Sequence, residues 1–332
     1  MYTSAYKLKC DAEQARYLAA HLSDAESAAF FRDVVAPAYE AVLENIPPLD
    51  RLSKTGGLYP LRTESPAERA LGTLYNRALH VTDAPEPRDG AGRPLPLLNA
   101  RLDADAVEAR WRGDDPSHGT PGVVWVDDLL TPEALDAVRT IMLESTVFYQ
   151  TKMPERFGGY VGAYLDDGLH DRLLLRLAFE LHGALPGIMG DHPLKYLWCY
   201  KYDSQYTGIN THADQAAVNV NIWLAPDSAN LDPHSGGLVV YTARPPDHWD
   251  FEDYNTSTER VVKELLEPTG FANVTVPHRQ NRAVIFDSAL FHHTDAFRFR
   301  EGYENRRINL TLLYGDMQKG VRGAAGPAAG EL

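Results

Sequence analysis

The chain has 332 residues, of which 44% are hydrophobic and 23% charged; this ordinary globular balance can bury a sizeable core in one large domain or a domain with an extension. Acidic residues outnumber basic ones by 46 to 32, for a formal net charge of −14, and a surface of that sign repels nucleic acid and anionic membranes, so neither is an expected partner. Two cysteines, Cys10 and Cys199, are too few for a disulfide scaffold and lack zinc-site spacing, no stretch reaches the ~18 apolar residues of a membrane span, and the opening MYTSAYKLKCDAEQ carries no apolar leader, so a cytoplasmic location is expected.

Residues 12 to about 46 are rich in Ala, Glu and Leu with apolar residues at helical spacing, and Pro47 and Pro48 stop the pattern. A second helix is expected at SPAERALGTLYNRAL, with Ser65 as cap and Pro66 in its first turn. TDAPEPRDGAGRPLP then reads as a long loop, and GDDPSHGTPG, residues 113 to 122, marks the best boundary between a mainly helical N-terminal region (1–121) and the rest of the chain. VVWVDDLL reads as a short strand. Thr131 caps a helix that begins at Pro132 and presents Leu135, Val138 and Met142 on one face. The Gly- and Tyr-rich GGYVGAYLDDGL, residues 158 to 169, reads as a loop or hairpin, and HDRLLLRLAFELHGAL as an amphipathic helix ended by Pro186.

From Leu194 onward strands dominate: LKYLWCYKYD, AVNVNIWLA, GGLVVYTA, NVTVP, RAVIFDS and RRINLTLLYG are β-branched or aromatic runs bounded by turn residues. Several short strands in succession predict an antiparallel sandwich or barrel with helices packed on it, an α+β chain as a whole. The small-residue tail, 319–332, is expected to be flexible.

One triplet in the β half stands out. In THADQ, His212 and Asp214 lie two apart, and in extended chain such residues face the same side. A third donor is available downstream, where RAVIFDSALFHHTDAF ends an apolar strand with His292 and His293. Two histidines and one carboxylate make the facial set that binds non-haem Fe(II) and leaves open positions; the softer ligands of a typical zinc site are missing. Further on, ENRRINLTLLYG puts Arg306 and Arg307 at the start of an apolar strand, with Arg307, Asn309 and Thr311 on one face. A guanidinium turned into a barrel is costly unless it meets an anion, and a dicarboxylate would supply one for its bidentate fork.

With these residues in view, the chain resembles the Fe(II)/2-oxoglutarate-dependent oxygenases over residues 122 to about 316. HAD, FDSALFH and RIN correspond to the family's His-x-Asp, distal His, and Arg followed by a polar residue; HSGGLVVY is similar to its Gly-Gly-Leu strand, and WVDDLLTPEALDAV to its entry strand and helix. The match is nearest the prolyl-hydroxylase-like and phytanoyl-hydroxylase-like branches. The resemblance implies a double-stranded β-helix (jelly-roll) domain over 122–318, with Fe(II), 2-oxoglutarate and O2 as cofactors. It implies His212, Asp214 and His292 as iron ligands, with His293 competing for the distal place. Arg307, in competition with Arg306, would hold the far carboxylate of 2-oxoglutarate, with Asn309, Tyr202 and Asn221 near the cosubstrate. Asp214 argues against halogenation, because related halogenases replace this carboxylate. Candidate substrate contacts are Tyr160, Tyr164, Arg156, Arg244 and His234. The expected reaction is oxidation of an unactivated C–H bond of a small molecule, a free amino acid or natural-product intermediate, by hydroxylation or by desaturation or ring closure. Modification of a protein or peptide side chain is the alternative within the class, and a cupin-like metal- or ligand-binding protein the alternative outside it.

Overall fold

The computed structural model describes residues 1–317 except 85, 116–119, 158, 204–208 and 257. Part of the boundary cluster at 113–122 and the tail at 319–332 therefore lie outside the described residues. Twelve strands occur among those described: β1 (Tyr2–Thr3), β2 (Tyr59–Pro60), β3 (Val123–Val126), β4 (Gln150–Thr151), β5 (Tyr160–Tyr164), β6 (Leu194–Tyr202), β7 (Val218–Trp223), β8 (Leu238–Tyr241), β9 (Asn273–Val276), β10 (Ala283–Asp287), β11 (His292–Thr294) and β12 (Ile308–Tyr314). Strands β1 and β2 pair with each other near the N-terminus, while the rest form a seven-stranded sheet in the order β3-β10-β7-β12-β6-β5-β4 and a three-stranded sheet in the order β11-β8-β9. All these pairings are antiparallel.

The course of the chain makes this a double-stranded β-helix. From β7 it crosses to β8 and β9 in the small sheet, returns to β10, crosses to β11 and returns to β12. An isolated bridge between His212 and His292 adds one more rung to the free edge of β11. Val123, Trp223, Leu238, Val240, Val276 and Phe286 fill the space between the two sheets. The outer face of the large sheet carries Val220, Ile222, Ile285, Leu310 and Leu312, which pack on Val138, Ile141, Met142, Leu174 and Leu177 from the helices Pro132–Glu144 and Arg172–Ala184. At roughly 1.5–3 kcal/mol per fully buried large aliphatic side chain, this layer is the main stabilising term of the β half. Alternation along β7 and β12 turns the intervening Asn219, Asn221, Asn309 and Thr311 the other way, into the barrel.

Two readings of the sequence need correction. The first helix begins earlier than residue 12, at Ala5, because the Ser4 hydroxyl accepts the Lys7 N–H and caps it; it ends at His21, and the helical region continues as Ala25–Phe30, a π-helical turn Phe31–Val35, and Ala36–Leu43. The segment read as a loop or hairpin contains strand β5, paired to β6 over Tyr160–Ala163; sheet pairing outweighs the turn preference of its glycines. The cap at Ser65 is as expected and closes a full capping box with Glu68. No helix among the described residues is long and apolar enough to cross a membrane.

The first helix serves two cores. Leu8, Ala15 and Leu18 pack in a helical cluster with Phe31, Tyr39 and Leu71, while Tyr6 and Cys10 belong to the core of the β half. Gln14 pins it further, donating from Nε2 to the carbonyls of Leu143 at 2.9 Å and Ser145 at 3.0 Å. Replacing Gln14 by Ala removes both bonds, although the Leu143 carbonyl still accepts from the Tyr303 hydroxyl at 2.7 Å, and is expected to lower the unfolding free energy by about 1–2 kcal/mol, read as a drop in the urea midpoint at unchanged slope.

Candidate active site

His212 and Asp214 lie between β6 and β7, and His292 opens β11. The two histidines are paired through their backbones: the His212 N–H donates to the His292 carbonyl at 3.0 Å, and the His292 N–H to the His212 carbonyl at 2.9 Å. Their rings therefore face each other, with centroids 4.2 Å apart. Asp214 is held by its own N–H, which donates to the Ser288 carbonyl at 3.2 Å. One donor atom from each of His212, Asp214 and His292 falls within a set spanning no more than 4.8 Å, compact enough for one cation. His293 is turned away, as the next residue of a strand must be, and its ring lies against Tyr241.

The protonation pattern suits a metal. Nδ1 of His212 lies 2.7 Å from the Asn210 carbonyl and Nδ1 of His292 lies 3.0 Å from that of Leu290. Each contact requires a proton on Nδ1, which leaves the Nε2 lone pair for coordination. Burial, reinforced by His292, pushes the His212 pKa down to about 4, so this ring is neutral at neutral pH. For Asp214 burial works to raise the pKa, but the neighbouring His292, then His212, and the Asn219 amide hold it below the ordinary carboxylate value.

A polar ladder supports the carboxylate. Asn219 donates from Nδ2 to Asp214 Oδ2 at 2.7 Å, Asn221 donates to Asn219 Oδ1 at 2.6 Å, and Asn309 donates to Asn221 Oδ1 at 2.5 Å, where the Thr311 hydroxyl also donates at 3.2 Å. From the opposite side Asn255 clamps Ala213, the residue between the two proximal donors. Its Oδ1 accepts the Ala213 N–H at 3.0 Å and its Nδ2 donates to the Ala213 carbonyl at 2.9 Å. Sequence reasoning missed Asn255, which sits in a helix, Phe251–Thr256, inserted between β8 and β9; nothing local links it to residue 213.

Arg307 is 1% exposed. Its Nε donates to the Gly236 carbonyl at 2.7 Å and its Nη2 to that of Gly237 at 3.0 Å, while Nη1 is buried without a partner, as is Asn309 Oδ1. Its guanidinium lies over the Tyr202 ring, 4.7 Å from the centroid. Burial draws its pKa below the usual arginine value, opposed by Tyr202, and it pairs with no carboxylate among the described residues. Arg306 is instead satisfied elsewhere, by Glu13 at 2.8 Å and Asp203 at 3.4 Å. His278 adds no second cation, since burial, then the field of Arg307, pushes its pKa down to about 3. The Gly237 carbonyl that Arg307 uses belongs to a residue with no room for a side chain: a Cβ there would lie 1.8 Å from the Val276 carbonyl oxygen.

These groups open into one cavity of about 550 Å³ lined by His212, Asp214, His292, Arg307, Asn309 and Asn221, with Tyr202, Tyr160 and Tyr164 in its wall. Of the other candidates, Arg244 pairs with Asp287 at 2.7 Å and does not line the cavity, and His234 is exposed in a turn where its N–H donates to Asp232. The Arg156 side chain lies outside the described residues. Trp198 and Tyr200 also line the cavity and went unnamed in the sequence; period-two alternation from Tyr202 along β6 was the available signal. Because Asn255 orients the turn that carries His212 and Asp214 without lying in the donor set itself, Asn255→Ala is expected to weaken Mn(II) binding by about 10–100-fold, measured by titrating metal-free protein, with the unfolding midpoint as a control for folding.

No protein-family model and no curated protein matches the chain. Among solved structures it is similar to the non-heme alpha ketoglutarate dependent carbocyclase SnoK from nogalamycin biosynthesis, at 12% identity over 69% of this chain and 92% of that one, with a TM-score of 0.47. It is also similar to HygX from Streptomyces hygroscopicus, solved with nickel, 2-oxoglutarate and hygromycin B bound, at 14% identity over 59% and 83% of the two chains and a TM-score of 0.40. A third is an oxidoreductase of the 2OG-Fe(II) oxygenase family from Burkholderia pseudomallei, at 12% identity over 66% and 95% and a TM-score of 0.41. Solved Fe(II)/2-oxoglutarate oxygenases are thus among the structures this chain is similar to, and the chemistry of its site rests on its own residues.

Proposed function

We propose that the protein is an Fe(II)/2-oxoglutarate-dependent dioxygenase that oxidises an unactivated C–H bond of a small molecule, an amino acid or natural-product intermediate, by hydroxylation or by desaturation or ring closure, with release of succinate and CO2. One observation carries this reading: a two-histidine, one-carboxylate donor set and a buried guanidinium with a free N–H share a single cavity. Nε2 of His212, the carboxylate of Asp214 and Nε2 of His292 would hold the metal. Nη1 of Arg307, beside Asn309, would hold the far carboxylate of the cosubstrate.

Charge balance supports the assignment. Asp214 and Arg307 are the only carboxylate and guanidinium lining the cavity among the described residues. Their charges cancel, and those of a divalent cation and a dicarboxylate also cancel, so loading both leaves the cavity neutral. Loading either alone would strand charge in a buried space, which is expensive. When bound together with dioxygen, ferrous iron and 2-oxoglutarate supply an oxidant strong enough for an unactivated C–H bond.

The chain's own share of the work is positional. Asn219 fixes the Asp214 carboxylate, the Asn210 and Leu290 carbonyls fix the two imidazole tautomers, and Gly236 and Gly237 aim the Arg307 fork. Arg307 itself is buried, so its interactions act in a low dielectric. In a cupin-like binding protein, Arg307 would have no such anion to meet. With Fe(II), ascorbate, 2-oxoglutarate and air, the protein is expected to release succinate in the presence of its substrate. Asp214→Ala should abolish this by loss of metal. Arg307→Ala should leave Mn(II) affinity within about threefold while raising the 2-oxoglutarate dissociation constant at least about tenfold, the worth of a charge-assisted hydrogen bond or more. Equal 2-oxoglutarate affinity in wild type and Arg307→Ala would refute the assignment.

A further inference from the structure

Strand β6 carries a row of aromatic side chains on its cavity face. Tyr202, Tyr200, Trp198 and Tyr196 occupy successive alternate positions, with neighbouring ring centroids 6.3, 6.0 and 6.2 Å apart. Their exposure rises outward: Tyr202 is 1% and Tyr200 8% exposed, Trp198 is half-buried, and Tyr196 is 47% exposed. The inner end lies under Arg307 and the outer end faces solvent. Trp198 and Tyr200 are near-parallel, at 27°, whereas Tyr202 stands edge-on to Tyr200 at 86° and Tyr196 is tilted from Trp198 by 41°, so the Trp198–Tyr200 pair is the aligned part of the row.

The neighbouring strand is shaped to admit these rings. Gly162 of β5 stands opposite Tyr200 in the ladder, and a Cβ there would come within 3.0 Å of the Tyr200 ring and 3.1 Å of the Tyr164 ring. The hydroxyls of Tyr164 and Tyr200 satisfy each other at 2.8 Å, so these rings reach the cavity without an unpaired polar group of their own. Core packing alone does not account for a half-exposed tryptophan at a cavity mouth, backed by a ring on each side along its strand.

We infer that this row is a stacking platform for an uncharged, ring-bearing substrate, either a sugar or a fused aromatic system, whose flat face lies on Trp198 and Tyr200. The inference rests on the oxygenase reading in one respect: a cavity neutral once metal and cosubstrate are in place has, among the described lining residues, no carboxylate or guanidinium left for a charged substrate. A free amino acid would bring two charges into that space with no partner among the described lining residues. Flat faces without charge gain from aromatic rings through stacking and C–H contacts, and the near-parallel Trp198–Tyr200 pair is the part of the row aligned for it.

The test uses the full chain, with and without Mn(II) and 2-oxoglutarate, titrated with maltotriose, with 1,8-dihydroxyanthraquinone, with L-lysine, L-arginine and L-proline, and with a decamer of proline. At least one of the two ring probes is expected to bind saturably and more tightly than every amino acid and the peptide; which one does so distinguishes a sugar from a fused aromatic system. Trp198→Ala should weaken that binding about tenfold, as loss of one stacking partner does, and Trp198→Phe should restore part of it. Both variants should keep the wild-type dissociation constants for Mn(II) and 2-oxoglutarate. Tighter binding of an amino acid or the proline decamer, no binding of either ring probe, or an affinity indifferent to Trp198→Ala would each overturn the platform while leaving the oxygenase reading intact. If instead Mn(II) and 2-oxoglutarate fail to bind while a ring probe binds through Trp198, the oxygenase reading falls and the platform stands.

Discussion

The reciprocal backbone pair between His212 and His292 is the contact on which the site depends. Two residues 80 positions apart in sequence exchange both N–H···O bonds, adding a rung to the edge of the small sheet. The pairing decides where both imidazoles stand before any side-chain interaction is counted. Asp214 comes two residues later, and its N–H is taken by Ser288, just beyond strand β10. Three donors thus converge because a jelly-roll returns to the same edge twice, and no single segment of chain could place them.

Polar groups inside a barrel are costly unless their bonds are completed, and the ladder from Asp214 through Asn219 and Asn221 to Asn309 and Thr311 completes almost all of them. The exceptions are informative. Nη1 of Arg307 and Oδ1 of Asn309 remain unpartnered, and both residues line the cavity. The ladder also connects the carboxylate end of the cavity to the guanidinium end through side chains of two adjacent strands, so the two ends share one rigid frame. Rigidity of this kind lowers the ordering cost of binding.

Asn255 and Gly237 show how distant parts of the chain serve that frame. Asn255 comes from a helix inserted in the β8–β9 crossover and holds Ala213 by both its backbone groups. Gly237 removes a Cβ that would collide with the Val276 carbonyl, which lets β8 and β9 approach each other and leaves the Gly236 and Gly237 carbonyls facing Arg307. Neither residue has chemistry of its own to offer. Each acts by setting the position of a backbone that a functional side chain needs.

What the sequence by itself determined was the set of elements and the chemical types within them. Alternation of β-branched and aromatic residues predicts six of the strands from β6 onward, because a two-residue period is imposed locally by the pleat. Ser65 and Thr131 mark helix starts because capping is also local. The donor types His212, Asp214 and a later histidine were legible from spacing, as was an arginine opening an inward-facing strand. Tertiary structure decided the rest. His292 joins the donor set and His293 does not, since strand phase is settled by pairing with β8. Arg307 enters the cavity while Arg306 is drawn to Glu13 and Asp203, partners far away in the chain. Arg244 leaves the expected substrate region for Asp287, and Asn255 enters the site with no local signal at all. The dividing line is physical: propensity and periodicity act over a few residues, whereas the choice between adjacent histidines or adjacent arginines is made by contacts that exist only once the sheets have closed.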